Sequence, residues 1–175
     1  MRQVYVLLSR TQTLPSKIVH SVTGGDFTHT SLALSPRSDH FYSFGRRKLN
    51  NPLVAGLIVE DVQDGVFKKY PNAHCALYQI SVSDMGYKKI QKYLCYLLEN
   101  YPIAKYNFAG AIPQRIGIRW RRKFRFTCSQ FVATALSKSE EIPLPKNPNL
   151  MLPNDFLKVT AMEQIYKGPL KDLRF

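Results

Sequence analysis

Apolar and polar positions divide this chain into short strand-like runs early on and helical periodicities later. Residues 4–9 are rich in strand formers and alternate poorly, which predicts a buried strand. Thr11, Gln12 and Thr13 break it. Residues 14–23 then predict a helix, with Thr13 or Leu14 near its cap, Pro15 in its first turn and Gly24-Gly25 at its end. Ile18, Val19 and Val22 form its apolar face, and His20 on it reads as a packing or surface residue. Residues 26–34 and 40–45 predict two strands around a turn at Pro36-Arg37-Ser38-Asp39, so residues 29–45 read as an antiparallel hairpin. Arg46-Arg47-Lys48 is a basic patch directly after it, followed by a loop at Asn50-Asn51-Pro52.

Residues 53–60 are apolar enough for a strand or a short helix, and the pattern leaves both open; residues 61–72 are polar and turn-rich. Residues 75–82 predict a strand. Ser83 or Asp84 then caps a helix running to about Tyr101, with Tyr87, Ile90, Tyr93, Leu94, Leu97, Leu98 and Tyr101 on its apolar side and Met85 and Cys95 on the same helix. Residues 102–118 are less regular. Beyond them Phe126 to Leu136 reads as a short helix capped by Thr127, with Cys128, Val132, Ala135 and Leu136 on one buried face. Residues 140–145 predict an extended loop, residues 154–161 a short helix opened by Pro153, and residues 163–168 a closing strand.

At 175 residues, 45% hydrophobic and 21% charged, the chain suits a single domain over residues 1–175 with a full core. It has no run of about 18 apolar residues, the length a transmembrane helix needs. The first ten residues lack the longer apolar core and small-residue cleavage site of a secretion signal, so cytoplasmic location is the default expectation. Cys75, Cys95 and Cys128 are odd in number and widely spaced, without a CxxC pair, which argues against a disulfide framework or a zinc site. Cys75 in a strand and Cys95 on an amphipathic helix read as structural. No metal-ligand cluster appears, so no cofactor is implied. The net charge of +13 implies attraction to an anionic partner. Arg115, Arg119, Arg121, Arg122, Lys123 and Arg125, interleaved with Ile116, Ile118, Trp120, Phe124 and Phe126, are the candidate contact residues; a solvated basic face is the plainer reading of the same pattern.

A lone cysteine is most often a small core residue. Cys128 differs in its position on the first turn of a helix, where the dipole and free backbone N–H groups favour a thiolate. A thiol nucleophile needs a base, and histidine titrates in the useful range. Of His20, His29, His40 and His74, His29 is the best placed. It follows a Gly-Gly-Asp loop near the start of a strand, and Ser31 and Ala33 beside it leave room for a helix to pack close.

The segments Phe27-Thr28-His29-Thr30-Ser31-Leu32-Ala33-Leu34 and Thr127-Cys128-Ser129-Gln130-Phe131-Val132 resemble those of the circularly permuted papain-like enzymes. This is the YiiX-like and lecithin:retinol acyltransferase-like branch of the NlpC-type cysteine peptidase superfamily, in which the histidine strand precedes the cysteine helix. The likeness spans most of residues 3–137 and includes Tyr106-Asn107. It implies an α+β fold in which a small antiparallel sheet bearing the histidine packs against the cysteine helix. It also implies a thiol hydrolase or acyltransferase acting on an amide- or ester-containing substrate through a thioester, with Cys128 as nucleophile, His29 as base and the Cys128 N–H helping to hold the oxyanion. The family's third polar residue, which orients the imidazole, falls by register on Ser43, with Tyr42 or Asp39 as alternatives. The competing expectation is a non-catalytic basic module on the same scaffold that binds lipid, wall polymer or nucleic acid.

Overall fold

β1 (Arg2–Arg10) is buried on both faces, which explains why its sequence alternates so poorly. Val4, Val6 and Leu8 enter one apolar cluster, and Tyr5 and Leu7 enter a second on the opposite side. In the computed structural model, which describes residues 1–10, 25–35, 40–48, 51–61, 65–120 and 122–174 (residues 52, 53, 65, 66, 112 and 115 by backbone only), β1 lies inside an eight-stranded sheet. The other strands are β2 (His29–Ala33), β3 (His40–Lys48), β4 (Asn51–Asp61), β5 (His74–Val82), β6 (Lys105–Tyr106), β7 (Arg125–Phe126) and β8 (Glu163–Pro169). Their order is β7-β6-β4-β3-β2-β1-β5-β8, antiparallel throughout except for the parallel β6–β7 pair.

Four helices accompany the strands among the described residues: α1 (Gly65–Lys69), α2 (Asp84–Glu99), α3 (Phe108–Arg115) and α4 (Cys128–Ser137). Short 3-10 turns span Pro148–Leu150, Pro153–Lys158 and Leu170–Asp172. The first cluster joins Leu32 and Phe44 of the sheet to Ile90 and Leu94 of α2 and to Phe131, Val132 and Ala135 of α4. The second holds Ala33, Phe41, Cys75 and Leu77 under Phe67 of α1 and the C-terminal Leu170 and Leu173. No helix among the described residues is long and apolar enough to cross a membrane.

The α+β class follows the sequence pattern, and the details depart from it where contacts distant in sequence decide. The sheet is not small: it has eight strands. Residues 53–60 belong to strand β4, because β3 pairs with them from His40↔Asp61 to Arg46↔Ala55. That same pairing draws Arg46, Arg47 and Lys48 into β3 rather than into a patch after it. The polar stretch after β4 contains α1, anchored by buried Phe67. Pro153 opens a 3-10 turn instead of an α-helix. The helix expected over residues 14–23 and the turn at residues 36–39 lie outside the described residues.

Candidate active site

The start of α4 is fixed from two sides. Thr127 is its N-cap: the Gln130 N–H donates to Thr127 Oγ1 at 3.3 Å and the Thr127 N–H donates to Gln130 Oε1 at 3.0 Å, a reciprocal capping box. Gln114, buried on α3, braces the same turn. Its Oε1 accepts from Thr127 Oγ1 at 3.1 Å, and its Nε2 donates to the Met151 carbonyl at 2.5 Å and to Ser129 Oγ at 3.3 Å. Because the capping box satisfies the Thr127 and Gln130 amides, Cys128 and Ser129 supply the remaining N–H groups of the first turn that can face an incoming anion. The sequence pattern gives no hint of Gln114, since its partners lie on the α4 turn and on the Met151 segment, both distant from it in sequence. Gln114→Leu is expected to lower stability by about 1–3 kcal/mol, because it leaves buried polar groups unpaired. Urea unfolding would check this, and an unchanged midpoint would remove the bracing role.

His29 is the first residue of β2, as Cys128 is of α4. Its Nε2 lies 2.9 Å from both Oε1 and Oε2 of Glu60, and Ser31 Oγ donates to Glu60 Oε2 at 2.5 Å. Glu60 comes from β4, two strands away, where it stands opposite Phe41 of β3. Gly45 lies between them on β3. A Cβ there would sit 3.7 Å from His29 Cε1 and press on Ile58 Cδ1 at 2.6 Å, so the glycine leaves the ring and Ile58 space over the strand. The His29 and Glu60 side chains keep only 19% and 11% of their surfaces exposed.

Burial alone pulls the His29 pKa down. The Glu60 charge, hydrogen bonding to Cys128 and Glu60, and the charge of Cys128 outweigh burial, and the imidazole ends well above its ordinary 6.5. Both carboxylate oxygens of Glu60 meet Nε2, so Nδ1 is the ring nitrogen that Glu60 does not engage. Tyr106, half-buried at the end of β6, has its phenol pKa raised by burial and by its electrostatic interaction with Cys128.

His29 is thus coupled to both Glu60 and Cys128, and the side chain that meets its ring is Glu60 rather than Ser43. Ser43 is fully buried and donates to the Thr30 carbonyl at 2.7 Å, a bond within the β2–β3 pair that commits its hydroxyl proton to the backbone. Tyr42 registers opposite Leu32, three residues along β2 from His29, and Asp39 lies outside the described residues. Ser31 and Ala33 do not open space for a helix as expected. Leu32, on the other side of the strand, joins the α4 cluster, while Ser31 serves Glu60.

Glu60 escapes a sequence reading because strand and helix both fit its apolar run. The available signal is an inversion within β4: Val59 is 47% exposed while neighbouring Glu60 is mostly covered.

His40 and His74 are exposed at the starts of β3 and β5, and His20 lies outside the described residues. Cys75 is a core residue whose thiol is pushed up to about 12 by burial. Cys95 is exposed on α2 and is not structural in that sense. Of the basic set, Arg119, Arg122 and Lys123 are exposed and Arg125 is partly covered; Arg121 and the Arg115 side chain lie outside what is described. Among the described residues no group of three His, Cys, Asp or Glu side chains is arranged to hold a metal ion. Compared with protein-family models and with curated proteins, the sequence matches none, so the arrangement of Cys128, His29 and Glu60 must be judged on its own geometry.

Proposed function

We propose that the chain is a cysteine hydrolase or acyltransferase that works through a Cys128–His29–Glu60 triad on a permuted papain-like scaffold. The observation that carries this reading is an imidazole held at Nε2 by a mostly covered carboxylate and coupled to a cysteine on the first turn of a helix. The chain order, histidine strand before cysteine helix, agrees with the resemblance.

The chemistry follows from the positions. His29 takes the Cys128 proton, and the sulfur attacks the carbonyl carbon of an amide or ester, forming a C–S bond. The carbonyl oxygen becomes an oxyanion facing the Cys128 and Ser129 N–H groups. Its collapse breaks the C–N or C–O bond, and the proton on His29 passes to the departing amine or alcohol. The thioester left on Cys128 is then attacked by water or an acceptor hydroxyl or amine whose proton goes to His29. The C–S bond breaks and the proton returns to sulfur. Glu60 keeps the ring oriented and offsets its charge while it is imidazolium.

Alkylation tests the nucleophile without knowledge of the substrate. Exposed Cys95 would react in any mechanism, so the experiment uses Cys95→Ser protein. Iodoacetamide near neutral pH is expected to modify Cys128 far ahead of Cys75, and His29→Ala is expected to remove most of that advantage. Equal, slow labelling of Cys128 and Cys75 by mass spectrometry would defeat the reading.

A further inference from the structure

We propose that residues 116–120, 122 and 123 form a docking surface for an anionic lipid bilayer. The argument begins with charge. Between Glu99 and Glu140 the sequence contains no Asp or Glu but has eight Lys and Arg residues, so one continuous segment carries much of the net +13. Where that segment leaves α3 it also turns apolar groups outward: Ile116 is 71%, Ile118 53% and Trp120 48% exposed. Arg119, Arg122 and Lys123 alternate with or follow them and are exposed as well.

A soluble surface gains nothing from three large apolar side chains on one short loop. A bilayer interface accommodates both kinds of residue, because aliphatic groups and tryptophan enter the headgroup boundary while cations meet anionic headgroups. Single-stranded nucleic acid fits less well, since it is bound by stacking on aromatic rings and the two isoleucines offer none. The surface is independent of the proposed triad, although β7 leads directly from this segment into Cys128.

Trp120 is the only tryptophan in the chain and lies within the proposed surface, so its emission reports binding there. The full chain is titrated with vesicles of phosphatidylcholine alone and with vesicles also containing phosphatidylglycerol. A blue shift is expected with the anionic vesicles at low salt, reversing as salt screens the charges. Ile116→Ser with Ile118→Ser is expected to abolish the shift, and Arg119→Gln and Arg122→Gln each to weaken vesicle co-sedimentation roughly fivefold. Cys128→Ser is expected to bind as the unsubstituted chain does; loss of binding in that variant would place the contact at the thiol and overturn the proposal. So would an unchanged Trp120 emission with anionic vesicles at low salt, or a shift produced by a single-stranded oligonucleotide and not by vesicles.

Discussion

A burst of p-nitrophenol from p-nitrophenyl acetate is expected from the Cys95→Ser chain, one equivalent per protein molecule, as Cys128 takes the acetyl group. Cys128→Ala is expected to eliminate it, and His29→Ala to slow it by about 10²- to 10⁴-fold, the usual contribution of a positioned acid–base group. The reasoning rests on position. Cys128 stands at the first residue of α4, on a turn held by Thr127, Gln130 and Gln114, so the sulfur and the free N–H groups are fixed before substrate arrives. His29 is coupled to that sulfur on one side and to Glu60 on the other, which gives it both a proton source and a counter-charge. Cys75 cannot imitate the reaction, because burial keeps it a thiol at any ordinary pH. Stopped-flow absorbance on the three proteins measures the burst. If Cys128→Ala retained it, the nucleophile would lie elsewhere and the triad would be abandoned.

Local rules made half of this site readable. Thr127 before an apolar face marks the capped start of α4, and His29 at the head of a strand is legible as the candidate base. What the chain does not spell out locally is pairing. Glu60 reaches His29 only because β3 and β4 pair along most of their lengths, from His40↔Asp61 onward, and that register belongs to residues on both strands. Alternation on β3 points to Ser43, but its hydroxyl donates to the Thr30 carbonyl of the neighbouring strand, a partner a single strand's pattern cannot reveal. The same limit shaped the fold. The resemblance implied a small sheet, whereas two-residue strands β6 and β7, too short to leave a periodic signature, and the C-terminal β8 extend it to eight. The short strands β6 and β7 matter here, because their parallel pairing brings the chain to Thr127 and Cys128.

Glu60→Leu is expected to destabilise the fold by about 1–3 kcal/mol at pH 6, the range for removing one partner of a mostly covered, charge-assisted hydrogen bond, and by less at alkaline pH. The sign follows from proton binding. An imidazole in the unfolded chain titrates near about 6.5, and His29 in the folded chain holds its proton to a higher pH, through Glu60 and Cys128 working against burial. The stabilisation from this pair is therefore fully present below the unfolded value and is lost as pH rises through the folded one. With leucine at position 60, the folded ring must either carry an unbalanced charge in a mostly covered place or give up its proton. Both outcomes are costly at pH 6, and neither matters once the ring is neutral in any case. A second contribution does not depend on the ring's charge: Ser31 loses its acceptor, and that loss persists across the range. Urea unfolding at pH 6 and at pH 9.5 separates the two, since the charge-linked part should shrink between them and the Ser31 part should remain. Glu60→Gln, which keeps an oxygen for Ser31 but no charge, should show the smaller loss with the same pH trend. Equal losses for Glu60→Leu at both pH values would mean that Glu60 only packs and hydrogen-bonds, leaving His29 without the counter-charge that the proposed catalysis requires.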